Sequence, residues 1–160
     1  MHDYLKQREL ISREAALEVL NIAKDILDNL AINGDDPQLL ARKLTKVIFA
    51  RAEEEKGLIA SVEKLVNYCY YGIAGYLRET CPELTLDEVR MSCFICMGLP
   101  NHSLQFLYGF SNSSSLYNLR LKLRKKLGVP DSGITLEQYF NGLTEKLKRK
   151  EDEDERFSFE

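Results

Sequence analysis

The chain has 160 residues, 44% of them hydrophobic, and a formal net charge of −3. That length suits one domain or two small ones, and the apolar share is that of a globular chain, not a disordered one. No apolar run approaches the roughly 18 residues that cross a bilayer, the opening MHDYLKQREL lacks a signal peptide's apolar core, and four cysteines make no disulfide framework; the expectation is a soluble, cytoplasmic protein.

The first predicted element is a helix capped weakly at Ser12. Ala16, Leu20, Ala23, Leu27 and Leu30 recur along it at helical spacing, and Gly34 closes it. Asp36-Pro37 opens the second helix, with the acid at the cap and proline in the first turn. Its stripe is Leu40, Leu44, Val47 and Ile48, and the segment RAEEEKG ends or bends it at Gly57. A third periodic stretch carries Leu58, Val62, Leu65, Val66 and Cys69, then Ile73, Tyr76 and Leu77. Glycine costs about 1 kcal/mol inside a helix, so Gly72 predicts a break near Tyr71-Gly72. Cys81-Pro82 stops the run, because the residue before proline avoids helical geometry.

Thr85-Leu86-Asp87-Glu88 is a capping box. The helix it opens buries Val89, Cys93, Met97 and either Ile95 or Cys96, and ends at Gly98. A short element with Leu104, Leu107 and Tyr108 ends at Gly109. The next helix starts near Ser113 and stops at Gly128 and Pro130. A second capping box, Thr135 to Gln138, opens the last helix, carried by Leu136, Tyr139, Phe140, Leu143 and Leu147. The acidic run Glu151–Glu155 reads as a frayed, solvated end. There is no strand-like alternation and no fixed-period repeat. The fold class is therefore all-α, with a helical N-terminal region (1–80), a second helical module (82–150) and an acidic tail (151–160).

Charge is unevenly placed. From Val89 to Pro130 there is no Asp or Glu, while Arg90, Arg120, Lys122, Arg124, Lys125 and Lys126 give that window a net charge of +6. The rest of the chain sets 16 basic residues against 25 acidic ones. Salt screens charges beyond about 8–10 Å, so a polyanion meets the local field and not the global sum. A capped helix, a glycine, a short helix, a second glycine and a longer basic helix make the outline of a helix-turn-helix. Leu116, Leu119, Leu123 and Leu127 fix the buried stripe of the long helix. Ser114, Ser115, Tyr117, Asn118, Leu121, Lys122 and Lys125 then face out, with Arg120 and Arg124 on the flanks. In this reading Ser114, Ser115, Asn118 and Lys122 reach into the groove, and Arg120, Arg124, Lys125 and Lys126 hold phosphates.

The segment LTLDEVRMSCFICMGLPNHSLQFLYGFSNSSSLYNLRLKLRKKLGV resembles the LuxR-type (GerE-like) helix-turn-helix of bacterial transcription regulators, in a divergent branch found at the C-terminus of larger proteins. Leu84-Thr85 and Glu88 match its opening, and Gly98 its first stop. Ser115-Leu116 falls on its Thr-Val, Leu123 on its Ile, and Lys126-Leu127-Gly128-Val129 on its closing motif. YLRETCPELT, before it, fits the branch's lead-in. The resemblance implies a regulator that binds double-stranded DNA, with residues 1–80 as a helical dimerisation or signal-input region packed on a winged-helix-like helix-turn-helix module of three or four helices (82–150). The chain departs from the pattern at His102, Ser103 and Gln105 in the short helix and at Leu119 in the long one. A helical interaction protein with a degenerate module that no longer binds DNA is the alternative.

Other constellations are weaker. Cys93 and Cys96 form a CxxC, which Cys69, Cys81, His2 and His102 could extend toward zinc, but the spacing is not that of a finger; small apolar cysteines are the simpler reading. His102 beside Ser103 has no acid in its window, and no phosphate loop, HExxH or paired carboxylate appears. No enzyme activity, metal or cofactor is expected. The basic amphipathic helix could lie on a membrane, yet its leucines suit a core better. The first 80 residues hold no chemical motif; a homodimer through these helices is attractive, because two recognition helices on one duplex bind far more tightly than one.

Overall fold

The computed structural model describes residues 2–50, 57–130 and 133–158. Among these, every regular element is a helix, so the fold is all-α and no β-wing is present in the described residues. No described helix is long and apolar enough to cross a membrane. The chain forms two compact units, Met1–Tyr68 and Cys69–Glu160.

The first unit is a helical hairpin followed by a third helix. Helix α1 (His2–Asn33) turns through Gly34 and Asp35 into α2 (Pro37–Phe49). Gly34 is required here, since a Cβ would sit 2.5 Å from the Leu30 carbonyl oxygen. The Asp36 carboxylate accepts the Leu39 N–H at 3.1 Å and Pro37 takes the first helical position, as the sequence predicts. Helix α3 (Leu58–Cys69) starts after Gly57; the preceding RAEEEK lies outside the described residues.

Two expectations for α1 are corrected. Ser12 is no cap: the helix begins ten residues earlier, and the Ser12 hydroxyl is satisfied inside it by donating to the Arg8 carbonyl at 2.8 Å. The buried face is also different. Ser12, Ala15 and Ile22 are buried, with Val19 and Ile26 half-buried on the same side, whereas Leu20 and Leu27 are each 64% exposed. Small side chains at positions 12 and 15 let neighbouring backbone approach closely, which the larger leucines would prevent. The Arg8 guanidinium donates to the Tyr68 carbonyl at 3.3 Å and lies 5.3 Å from the centre of its ring, joining the start of α1 to the end of α3.

The second unit opens on the expected break, with Tyr71 at φ 60° and Gly72 at φ 80°. It contains α4 (Ile73–Thr80), α5 (Leu86–Cys96), α6 (Asn101–Leu107), α7 (Ser113–Leu127) and α8 (Leu136–Ser158). Helix α5 is buried on almost every side: Glu88, Val89, Met91, Ser92, Cys93, Phe94 and Ile95 are all inside. Around it pack α4, through Ile73, Ala74 and Leu77, and α8, through Leu136, Phe140 and Leu143. Because α4 contributes three fully covered side chains to this core, the C-terminal unit starts before residue 82. At the other end α8 continues through the acidic run to Ser158. Lys148, Arg149 and Lys150 each stand four residues before an acid, at Asp152, Glu153 and Asp154, a spacing that offsets like-charge repulsion along a helix.

Candidate nucleic-acid interface

Helix α7 is placed by its ends and by three of its cations. Asn112 caps it, its side-chain oxygen accepting the Ser115 N–H at 3.1 Å and approaching the Ser115 hydroxyl at 3.4 Å. Gly128, at φ 72°, ends it in the left-handed conformation that glycine adopts without cost. Leu116 and Leu123 are buried, and Leu119 and Leu127 half-buried, so the predicted leucine stripe does face inward.

The cations on the flanks of that stripe bind the protein itself. Arg120 donates to the Asn101 side-chain oxygen of α6 at 3.1 Å and pairs with Glu137 of α8 at 2.6 Å. Arg124 donates to the carbonyls of Pro130 and Ile134, the latter at 2.8 Å, and so pins the turn between α7 and α8. Lys126 reaches the Glu83 carbonyl at 3.3 Å and the Glu88 carboxylate at 2.6 Å. These are intramolecular uses of three residues that the sequence pattern assigns to phosphates. Sequence spacing places a side chain on a face; it does not reveal which carboxylate or carbonyl another helix brings to it.

Glu88 is the most constrained of these partners. One carboxylate oxygen accepts the Thr85 N–H at 2.9 Å while the Thr85 hydroxyl accepts the Glu88 N–H at 3.2 Å, completing the predicted capping box. Burial alone would push this carboxyl up, but the Lys126 ammonium, the Thr85 backbone and the Thr85 hydroxyl outweigh it and hold it below the ordinary carboxylate range. Glu137 behaves alike: burial raises it, and Arg120, its own backbone N–H and the Thr135 hydroxyl bring it down. The second oxygen of Glu88 is buried with no hydrogen-bond partner.

Across the opposite face of α7 the picture is open. Ser114, Tyr117, Asn118, Lys122 and Lys125 are exposed, Tyr117 by 66%. Lys122 and Lys125 have no ion-pair partner among the described residues. Ser114, Asn118, Lys122 and Lys125 follow one another at helical spacing, making a single polar and basic row. Ser115 is half-buried and engaged with Asn112, so it belongs to the cap more than to this row. The chain matches no protein-family model, no curated protein and no solved structure.

The short helix α6 keeps Leu104 fully buried while His102 is exposed and Gln105 half-buried. Phe106, on the same helix, is 55% exposed. Sequence reasoning passed over it, although its position two residues after the buried Leu104 places it on the far side of the helix. The Tyr108 hydroxyl donates to the Asp87 carbonyl at 3.0 Å, joining the end of α6 to the start of α5. Burial, then the nearby Asp87, raises this phenol further, so it stays a protonated donor. Cys93 is buried and Cys96 half-buried; desolvation pushes the Cys96 thiol up to about 12. No group of three metal-ligating side chains exists among the described residues.

Proposed function

We propose that this chain is a non-catalytic, DNA-binding transcriptional regulator of LuxR-like type, acting in the bacterial cytoplasm through the outward row of α7. The observation that carries this reading is the row itself. Ser114, Asn118, Lys122 and Lys125, with Tyr117 beside them, face solvent on a helix whose flanking residues, from Val89 to Pro130, contain no acid. Hydroxyl and amide groups at the start of such a helix suit base edges or phosphates, and its two open lysines suit phosphates. Arg120, Arg124 and Lys126 then act one step back: they fix the roll and tilt of α7 by tying it to α5, α6, α8 and the following turn. A homodimer would present two such helices to one duplex.

Titrating labelled duplex with the protein at several salt concentrations tests this. Each phosphate contact contributes about 0.9 to the slope of log affinity against log salt, so a Lys122→Ala/Lys125→Ala variant should lose about 1.8 of that slope. A variant slope equal to the wild-type slope would remove α7 from the interface. A second reading, a helical interaction protein, draws on the three cations already committed within the fold, which leave only two open lysines on the helix. It predicts no retardation of any duplex even at low salt.

A further inference from the structure

We propose that Glu137 is an internal competitor of the DNA backbone: its carboxylate occupies the Arg120 guanidinium that a phosphate would otherwise engage, and so limits how tightly α7 holds a duplex. This rests on the DNA reading above and adds to it a residue of α8 that lowers affinity. The three cations committed within this unit are held in different ways. Lys126 pairs with Glu88, whose side chain is 4% exposed and whose carboxylate also completes the capping box. Arg124 is taken by the carbonyls of Pro130 and Ile134, which fix the turn after α7. Neither is released without opening part of the fold. Arg120 differs. Its Nη1 donates to the Asn101 side-chain oxygen at 3.1 Å, and its Nη2 to one oxygen of Glu137 at 2.6 Å. The Glu137 side chain is 47% exposed. An ion pair open to water adds little to stability, so one partner exchanges for another at small cost.

Chemistry makes the two partners interchangeable. Carboxylate and phosphate both present anionic oxygens, which the planar guanidinium meets with charge-assisted bonds. Asn101 is neutral and belongs to α6, so it still orients the guanidinium when Nη2 changes partner. Arg120 stands one turn from Tyr117 on α7, at the flank of the outward face. Glu137 lies in the first turn of α8, beyond the acid-free stretch from Val89 to Pro130. Tertiary structure thus brings a negative charge back to a helix whose own sequence neighbourhood has none. If a phosphate takes Nη2, Arg120 keeps its number of bonds, but Glu137 is left unpaired beside the DNA backbone. Like-charge repulsion there opposes the exchange, and removing the carboxylate removes the opposition.

The test is the duplex affinity of the full chain at several salt concentrations, for the wild type, Glu137→Gln and a second neutral variant, Glu137→Ala. A freed Arg120 adds one phosphate contact, so the slope of log affinity against log salt should steepen by about 0.9. That tightens binding about eightfold at 0.1 M salt and about fourfold at 0.2 M. Damage to the fold would move affinity the other way. Adding Arg120→Gln to Glu137→Gln should remove the gain. Glu145→Gln, which takes an acid from the same helix about two turns further on, should leave affinity and slope at their wild-type values. Neutral variants with the wild-type slope overturn the inference, as does a gain that survives without Arg120 or that Glu145→Gln reproduces. Binding that depends on Lys122 and Lys125 but ignores Glu137 removes this inference alone. If neither the wild type nor the neutral variants retard any duplex at low salt, the DNA reading itself falls and takes the inference with it.

Discussion

Replacing Lys126 with methionine separates a structural lysine from a DNA-binding one. Methionine keeps an unbranched apolar stem and removes the ammonium. In the native fold that ammonium sits 2.6 Å from a Glu88 carboxylate whose side chain is 4% exposed, and Lys126 itself is 33% exposed. Without it the carboxylate retains Thr85, but its second oxygen already has no partner. Breaking a fully buried pair costs about 3–5 kcal/mol; because the lysine end meets solvent, about 2 kcal/mol at pH 7 is expected. The pH dependence is diagnostic. Burial raises the wild-type Glu88 carboxyl, Lys126 and Thr85 bring it below its ordinary 4.5, and the net shift is downward. Its contribution is therefore fully present above pH 4.5 and is lost as pH falls through the lower folded value. In Lys126→Met, burial is opposed by Thr85 alone and the carboxyl titrates higher. The stability gap between the two proteins should narrow on acidification, by about 1.4 kcal/mol for each pH unit between the two folded values. Urea titrations followed by circular dichroism from pH 7 to pH 3 measure this directly. A gap that stays constant across that range, or no gap at pH 7, would refute the assignment.

Two further outcomes follow from the same geometry. Asn112→Ala should lower stability by about 1 kcal/mol, since the α7 cap is lost, and Asn112→Ser should restore most of it; equal stability of the alanine variant in urea titration would show the cap to be dispensable. At pH 8 a thiol reagent should label exposed Cys69 first; half-buried Cys96, whose thiol is pushed up to about 12, should follow more slowly, and buried Cys93 should react only as fast as the protein opens. Peptide mapping that finds Cys93 modified as quickly as Cys69 would contradict the burial of α5.

Several parts of the fold were legible from local chemistry. The capping boxes at Thr85 and Thr135 form as written, because their partners lie three residues apart and need no tertiary help. Gly128 ends α7, and Gly72 breaks the chain between α3 and α4, because glycine takes the left-handed conformation at both places without a side-chain clash. The inward run of Leu116 and Leu123 follows from helical period alone. The basic row of α7 was legible for the same reason.

Local chemistry thus yields a string of helices, their stops, and one acid-free basic segment. The charges that segment has left to offer follow instead from its neighbours in space. Arg120, Arg124 and Lys126 look like their neighbours in sequence, yet Glu137, the Ile134 carbonyl and Glu88 claim them across gaps of ten to 38 residues. The same holds for α1, where two apolar stripes share one helix and packing alone chose Ala15 and Ile22 over Leu20 and Leu27. A period shows that a face exists; which face is covered depends on the shapes that the rest of the chain brings against it.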